Sequence, residues 1–284
     1  MKLQYAAISL TGTNHEFNED RALMGMRSLP PESGAVVCGK DRMSRVFAVF
    51  DGVGGHGGGA QAAEQALAGF SSACAQAHIQ PGRTADDAAD AEDAPPAEDP
   101  LVVWRAALAT CLKEANDAIL AGRAWGKRLG FCAAAGLALD EFGNVHVFHA
   151  GDVRVYRFRS PYAMRVTKDH SLAEQWRDEH PGQPTPSDIA HTITRSLGHP
   201  APDAHTTDEA WPFEMEQPTP AMPGDVYIAC SDGIWEYTSE EDFERAFSDA
   251  ESPADLADAL SVIAAQARER GSYDDATIVA VRIA

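Results

Sequence analysis

Five short acidic motifs contain the residues of this sequence that are best suited to chemistry. They are Asn18-Glu19-Asp20, Asp51-Gly52, Gly151-Asp152, Ser231-Asp232-Gly233 and Asp274-Asp275. Each adjoins an apolar, strand-like run, and carboxylates that meet at strand ends are costly to bury without a counter-charge. Such oxygen ligands suit a hard divalent cation, Mn²⁺ or Mg²⁺. A single Asp beside Gly is usually turn chemistry, so the prediction depends on the whole set.

The chemistry that such a set would support is hydrolysis of a phosphoester. Two cations about 3.5–4 Å apart can lower the pKa of a water molecule and hold a phosphoryl oxygen, without a nucleophile from the protein. The sequence has no GxSxG motif and no GxxxxGK[ST] loop, which argues against a serine hydrolase and a P-loop NTPase. The glycine-rich run at 52–59 lacks the parallel βαβ unit of a dinucleotide-binding loop.

The elements that would position these motifs alternate between groups of strands and pairs of helices. Apolar runs predict strands at residues 5–10, 46–51, 131–139, 144–150, 153–158, 225–231 and 276–283. Periodicity and start signals predict helices at residues 60–77, 101–121, 170–179, 239–247 and 252–270. The turns at 140–144 and 150–152 are expected to close β-hairpins. Hairpins imply antiparallel strands, so the sequence predicts an α+β fold of stacked layers.

Length and composition predict a single domain that spans residues 1–284. The formal net charge of −20 argues against a nucleic acid or an anionic membrane as partner. Residues 85–99 hold seven acidic side chains and no basic one, so we expect a mobile insertion at about 82–100. The five cysteines form no CxxC pair, and the sequence shows no signal-peptide pattern. We therefore expect a reduced, cytoplasmic protein, and a monomer.

Seven stretches of the sequence form an ordered series that is far more specific than any one of them. They are Asn18-Glu19-Asp20, VFAVFDGVGGHGGG (46–59), HAGDVRVY (149–156), TKDHSL (167–172), TRSLG (194–198), GDVYIACSDGIWE (224–236) and GSYDDATIVAV (271–281). The series covers nearly the whole chain and resembles the metal-dependent serine/threonine protein phosphatases of type 2C, the PPM family, in their bacterial form. This resemblance implies a four-layer α-β-β-α sandwich, in which helix pairs flank two antiparallel sheets and metal ions lie at one edge.

The resemblance also implies a role for each acidic motif. The implied metal ligands are Glu19, Asp51, the Gly52 carbonyl, Asp152, Asp232 and Asp274. Asp51 would bridge two core ions of Mn²⁺ or Mg²⁺, and Asp152 together with Asp232 would hold a third, weaker ion. Asp20 would hydrogen-bond the attacking water, so the implied catalytic residues are Asp20, Asp51 and Asp232.

Three positions depart from the pattern of the family. His15 occupies the position at which many members carry an Arg that grips the substrate phosphate, so we expect weaker phosphate binding and a steeper pH dependence. Val53 stands where eukaryotic members carry a proposed acid His, and nearby His56 is at least as well explained as a residue of the glycine-rich turn. Asp275 replaces a common Asn, so the ligand is assigned to Asp274.

The function implied by these residues is hydrolysis of phosphoserine and phosphothreonine in proteins, in opposition to a Ser/Thr kinase. Two alternatives stay open: a catalytically weak relative that acts as a regulatory binding module, and a two-metal phosphohydrolase that acts on small phosphoesters. Residues 176–193 correspond to the flap of the family, where a substrate-facing loop and a passive connection are equally compatible with the proline-rich composition.

Overall fold

The computed structural model describes residues 1–25, 27–30, 34, 36–42, 45–54, 58–77, 99–126, 128–200 and 211–284. The strands are β1 (Leu3–Leu10), β2 (Arg21–Met24), β3 (Arg27–Leu29), β4 (Val37–Asp41), β5 (Val46–Val53), β6 (Phe131–Leu139), β7 (Asn144–Ala150), β8 (Arg154–Arg159), β9 (Tyr162–Arg165), β10 (Glu214–Met215), β11 (Thr219–Pro220), β12 (Val226–Cys230) and β13 (Ala276–Ile283). The helices are α1 (Gly58–Gln76), α2 (Pro100–Ala124), α3 (Leu172–Glu179), α4 (Asp232–Trp235), α5 (Glu240–Phe247) and α6 (Pro253–Glu269).

The strands form two antiparallel sheets. The first sheet has the order β4-β1-β13-β12-β8-β9, and the second has the order β10-β7-β6-β5-β2-β3, with β11 also paired to β7. In the first sheet, β13 pairs with β1 along its whole length, from Leu3 opposite Ile283 to Leu10 opposite Ala276. In the second sheet, β5 pairs with β6, and Asp51 lies opposite Ala133. The strands that carry the acidic motifs therefore lie in the interiors of both sheets.

Among the described residues, three buried apolar clusters hold the layers together. One lies between the two sheets and includes Phe47 of β5 and Tyr227 of β12. The second joins the outer face of the second sheet to α1 and α2, through residues such as Phe70 and Leu112. The third joins the outer face of the first sheet to α5 and α6. This order of layers confirms the predicted α-β-β-α sandwich.

The helix start signals in the sequence are also confirmed. Ser239 and Ser252 each form a capping box with an Asp three residues later, and Pro253 occupies the first helical position of α6. Ser171 caps α3 through the backbone N–H of Glu174, so this helix begins two residues later than predicted. These caps satisfy backbone donors that a buried helix end would otherwise leave unpaired.

The prediction of a hairpin at residues 150–152 is wrong. β7 belongs to the second sheet and β8 to the first, so this corner carries the chain from one sheet to the other. Gly151 has φ +88°, and a Cβ there would lie 2.6 Å from the Cβ of Ala133. The corner therefore requires glycine at this position. The other predicted hairpin is confirmed, since β6 pairs with β7 across the turn at 140–144.

The acidic insertion and the flap are the two remaining segments that the sequence singled out. Residues 78–98, which include most of the acidic insertion, and His56 lie outside the described residues. Residues 180–192 of the flap contain no helix or strand, although Ser171 and Ile193 form an isolated β-bridge next to it. Across the described helices, none combines the length and apolar character needed to cross a bilayer. The assignment of residues 1–284 to a single domain stays a prediction.

Candidate functional site

Both sheets deliver acidic side chains to one edge of the sandwich. These acids are Glu19 and Asp20 (before β2), Asp51 (in β5) and Asp152 (after β7) from the second sheet, and Asp232 (after β12) and Asp274 (before β13) from the first. Asp232 is also the first residue of the short helix α4, which the sequence did not predict. Six acids carried by five strands therefore belong to a single candidate site.

The pKa of Asp51 shows how closely these acids interact. Burial raises it well above the ordinary value, and the charges of Asp20, Asp232, Asp152 and Asp274 raise it further. A carboxylate that is both buried and surrounded by like charges is unfavourable unless a cation shares the site. The arrangement therefore favours a divalent cation in contact with Asp51.

The neighbours of Asp51 are affected in the same way. Burial and then the charges of Asp152, Asp274 and Asp20 raise the pKa of Asp232 well above its ordinary value. Burial raises the pKa of Asp20 to about 7 and that of Asp152 to about 6. The raised pKa values are thus shared by Asp20, Asp51, Asp152 and Asp232 and are not a property of one residue.

Gly52 and Gly59 approach each other closely, and this contact brings the Gly52 carbonyl oxygen near the Glu19 carboxylate. A Cβ on Gly59 would lie 2.3 Å from the carbonyl oxygen of Gly52 and 2.8 Å from Oε2 of Glu19. A Cβ on Gly52 would lie 2.2 Å from the carbonyl oxygen of Gly59. Both positions therefore exclude a side chain, and the space is lined by the Gly52 carbonyl and the Glu19 carboxylate. These are oxygen donors of the kind that Mn²⁺ and Mg²⁺ prefer, so the residues fit such an ion.

Hydrogen bonds connect Asp20 to the turn that carries Asp232. Asp20 is 1% exposed, and its Oδ2 accepts a hydrogen bond of 2.7 Å from Ser231 Oγ. Ser231 Oγ also accepts from the backbone N–H of Thr277 in β13, at 3.0 Å. A Cβ on Gly233 would lie only 2.0 Å from the carbonyl oxygen of Asp275. The ends of β12 and β13 are therefore packed backbone to backbone, and Gly233 is needed for that contact.

Asp275 organises the loop that carries Glu19, a role that the sequence alone does not reveal. Its Oδ1 accepts from the backbone N–H of Gly12 at 2.7 Å, and its Oδ2 accepts from that of Glu19 at 2.7 Å. The side chain is 3% exposed, whereas that of Asp274 is 42% exposed. The adjacent pair thus divides into a buried acid that accepts backbone donors and a more accessible acid at the site.

The structure places His15 against this acidic pair. Its Nδ1 lies 3.0 Å from Oδ2 of Asp275, and its Nε2 lies 3.7 Å from Oδ1 of Asp274. The hydrogen bond to Asp275 raises the pKa of His15, and the charges of Asp275, Asp274 and Glu19 add to this effect. His15 therefore has more cationic character near neutral pH than an unperturbed histidine.

Among the described residues, the possible metal-ligand atoms that lie closest together are not those of Asp51, Asp232 and Asp274. Two groups of three have ligand atoms within 4.8 Å of one another: His15, Asp274 and Asp275, and a second group of His149, His170 and Glu214. Asp51, Asp232 and Asp274 do not form so compact a group. The fold brings these three acids to one site but leaves their oxygens further apart, as expected for carboxylates that repel one another.

Known proteins with similar sequence and structure share this fold. No family model matches the chain. The serine/threonine protein phosphatase PstP of Mycobacterium tuberculosis is 27% identical over 278 residues, which cover 98% of this chain and 44% of PstP. The chain therefore spans less than half the length of the curated relatives that it matches.

Solved structures agree along almost the whole chain. A PstP catalytic domain in complex with 2 manganese ions has a TM-score of 0.68 and 25% identity, and the match covers 99% of each chain. PppA, described as a key regulatory component of T6SS in Pseudomonas aeruginosa, has a TM-score of 0.66 and 22% identity, covering 99% of this chain and 97% of PppA. Taken with the ordered motifs and the α-β-β-α fold, these similarities support the resemblance of the chain to the PPM (type 2C) family of metal-dependent serine/threonine protein phosphatases.

Proposed function

We propose that the chain hydrolyses phosphoserine and phosphothreonine in proteins with the aid of divalent cations. The observation that carries the proposal is the group of buried carboxylates around Asp51, whose pKa values are raised by burial and then by the like charges that share the site. Such a group needs cations to ionise fully at neutral pH. The names of the PstP relatives supply the reaction class, since they describe serine/threonine protein phosphatases.

The same residues would hold the ions. Two core ions of Mn²⁺ or Mg²⁺ are proposed, with a third at Asp152 and Asp232, and the ligands are those named from the sequence: Glu19, Asp51, the Gly52 carbonyl, Asp152, Asp232 and Asp274. When bound, the ions would supply an activated water and offset the charge of the phosphoryl group. The manganese ions in the PstP structure support the choice of metal.

Asp20 and His15 would act on the water and the substrate. The carboxylate of Asp20 is fixed by Ser231 Oγ at 2.7 Å, so it would orient the attacking water and accept a hydrogen bond from it. Nδ1 of His15 is held by Asp275, which leaves Nε2 to donate to a phosphate oxygen of the substrate. In this role His15 would replace the bidentate Arg of other members with a single, pH-dependent donor.

The biological setting follows from the reaction class and from the cysteines. The phosphatase would reverse the action of a Ser/Thr kinase in bacterial signalling, act on phosphoproteins and work as a monomer. All five cysteines are free thiols, and four of them are buried, which supports a reducing compartment such as the cytoplasm.

The proposal is tested with a phosphothreonine peptide and a phosphodiester, each assayed with Mn²⁺ and with a chelator. We expect Mn²⁺-dependent release of phosphate from the peptide, at least about a hundredfold less with Asp232→Asn, because a ligand and a charge are lost. Asp258→Asn is the matched control, since Asp258 is exposed on α6 and its substitution should leave the activity unchanged.

The assay also separates the alternatives. Preference for the diester over the peptide would favour a phosphohydrolase that acts on small phosphoesters. Equal phosphate release by the wild type and Asp232→Asn would refute the proposed reaction. No release by either protein would also refute it and would favour a binding module.

A further inference from the structure

A cluster of two buried histidines and one glutamate lies on the second sheet, outside the carboxylate site. His149 in β7 is 1% exposed and His170 is 7% exposed, and their rings stack with centroids 4.5 Å apart. The carboxylate of Glu214 in β10 lies beside both rings, with Oε2 2.9 Å from Nε2 of His170 and 3.7 Å from Nε2 of His149. The Glu214 side chain is 56% exposed, so the cluster is open to solvent on that side.

We propose that His149, His170 and Glu214 form a second metal site, which binds Zn²⁺ or a similar transition-metal cation. The donor set of two imidazoles and one carboxylate is one that zinc uses in proteins, whereas the carboxylate site offers only oxygens. Burial lowers the pKa of His149 to about 4 and also lowers that of His170, so both rings are neutral at pH 7 and able to ligate. The two sites would therefore select different metals.

The surroundings of His149 support ligation through its Nε2. This nitrogen now donates to the carbonyl oxygen of Lys168 at 2.8 Å, while the buried Nδ1 has no hydrogen-bond partner among the described residues. A cation in place of the Nε2 proton would meet the Lys168 carbonyl as a fourth ligand. The ring proton would then reside on Nδ1, and Oε1 of Glu216 lies 3.9 Å from that nitrogen. Ligation would thus give a partner to a nitrogen that now lacks one, after a shift of about 1 Å.

Ligation of His170 would affect the turn that carries Asp152. Nδ1 of His170 accepts from the backbone N–H of Gly151 at 3.3 Å, so the proton of this neutral ring is on Nε2. If Nε2 binds a cation, the proton must move to Nδ1, and the Gly151 N–H then loses its acceptor. Metal binding at the histidine cluster would therefore remove a hydrogen bond that the Gly151-Asp152 turn now makes.

Arg195 places a positive charge next to the proposed metal site and so weakens metal binding. Its Nη1 lies 3.3 Å from Nε2 of His170 and 3.5 Å from Oε1 of Glu214. The guanidinium must move aside before a second cation can enter, and its 31% exposed side chain has solvent to move into. Removal of its charge should therefore strengthen metal binding.

The proposal is tested by titration with Co²⁺, a coloured substitute for Zn²⁺, in a large excess of Mg²⁺. Mg²⁺ would fill the all-oxygen site and leave the nitrogen donors free. We expect one equivalent of Co²⁺ to bind the wild-type chain, with intense visible d–d absorption typical of four-coordinate nitrogen and oxygen ligation. Zn²⁺ should displace it and remove the colour.

Variants decide whether the cluster is responsible. Glu214→Gln should weaken Co²⁺ binding by about tenfold or more, and Arg195→Gln should strengthen it. Glu141→Gln, at an exposed turn, is the matched control. Because Glu214 is largely exposed, its variant should fold even if His149→Gln does not. No Mg²⁺-resistant Co²⁺ binding by the wild type, or the same affinity and spectrum for Glu214→Gln and Glu141→Gln, would overturn the proposal. None of these readouts depends on phosphatase activity.

Discussion

Replacement of Asp275 by Ala should destabilise the protein and loosen the loop that carries Glu19. The carboxylate accepts hydrogen bonds of 2.7 Å from the backbone N–H groups of Gly12 and Glu19, and it also holds the ring of His15. With only 3% of the side chain exposed, water cannot easily replace these bonds. The variant therefore leaves two backbone donors and one side chain without their acceptor.

The magnitude follows from the type of bond. A hydrogen bond to a charged group contributes roughly 1.5–3 kcal/mol, so the two backbone bonds together contribute about 3–6 kcal/mol. Removal of Asp275 also relieves repulsion, since its charge raises the pKa values of Glu19 and Asp20. We therefore expect the free energy of unfolding to fall by about 3 kcal/mol. Asp275→Asn keeps one carbonyl oxygen of the same size and should cost about half as much.

The assay is urea unfolding in the presence of a chelator, so that metal binding does not contribute to stability. The midpoint should fall while the slope stays constant, in the order wild type, Asp275→Asn, Asp275→Ala. Asp249→Ala, at an exposed position after α5, should stay within about 0.5 kcal/mol of the wild type. A loss below about 1 kcal/mol for Asp275→Ala would show that these bonds do not organise the loop. In the active protein, the Mn²⁺ concentration for half-maximal activity should rise with Asp275→Ala, because Glu19 is no longer anchored.

Three further perturbations probe other contacts. Gly233→Ala places a Cβ 2.0 Å from the Asp275 carbonyl oxygen, so we expect a loss of about 2 kcal/mol or more in thermal unfolding and reduced phosphatase activity; a fully active, equally stable variant would contradict the packing argument. The hydrogen bond from Arg270 lowers the pKa of Asp242 below its ordinary 3.8, so its stabilisation is complete above about pH 4 and is lost as the pH falls further. Asp242→Asn should therefore cost about 2 kcal/mol at pH 7 and progressively less as the pH falls below about 4, because the loss is complete only below the lowered pKa; a cost in urea unfolding that stays constant down to about pH 2 would refute this. His15→Arg should lower KM for a phosphopeptide and flatten its dependence on pH, and an unchanged KM at every pH would exclude His15 from phosphate binding.

The layered architecture could be predicted because its strands and helices are each specified by patterns within a short stretch of sequence. Apolar runs identified the strands that lie in the sheet interiors except β2, and Ser239 and Ser252 marked helix starts that the structure shows as capping boxes. The short strands β2, β3, β4, β9, β10 and β11 were not predicted from the sequence. They have five residues or fewer, so too few positions show a period.

The corner at Gly151 shows why sheet membership is harder to predict than the strands themselves. A short Gly-Asp link between two apolar runs is the usual signal of a hairpin. Here β7 and β8 belong to different sheets, and the decisive contact is between Gly151 and Ala133 of β6. Such a contact between distant residues has no signature in the local sequence. The predicted position of Asp152 does not change, because a hairpin and a crossing between sheets both leave Asp152 at the end of β7.

The acidic pair at the end of the chain illustrates the same limit within the site. The sequence marks Asp274 and Asp275 as two equivalent carboxylates, and only the resemblance to the family favoured Asp274 as a ligand. The structure distinguishes them by their donors: Asp275 is buried and accepts backbone N–H groups from Gly12 and Glu19, which are more than 250 residues away.

The division between these two acids has a physical consequence for the whole site. A group of like charges can be held in place only if other interactions oppose their repulsion before any cation binds. Asp275 supplies such interactions through the backbone of the Glu19 loop, and Ser231 does so for Asp20. Neither residue would need to contact a metal, yet each fixes the position of an acid that repels its neighbours. Substitution of Asp275 or Ser231 should therefore affect metal affinity and folding together, whereas substitution of the more exposed Asp274 should reduce metal affinity with little cost in stability.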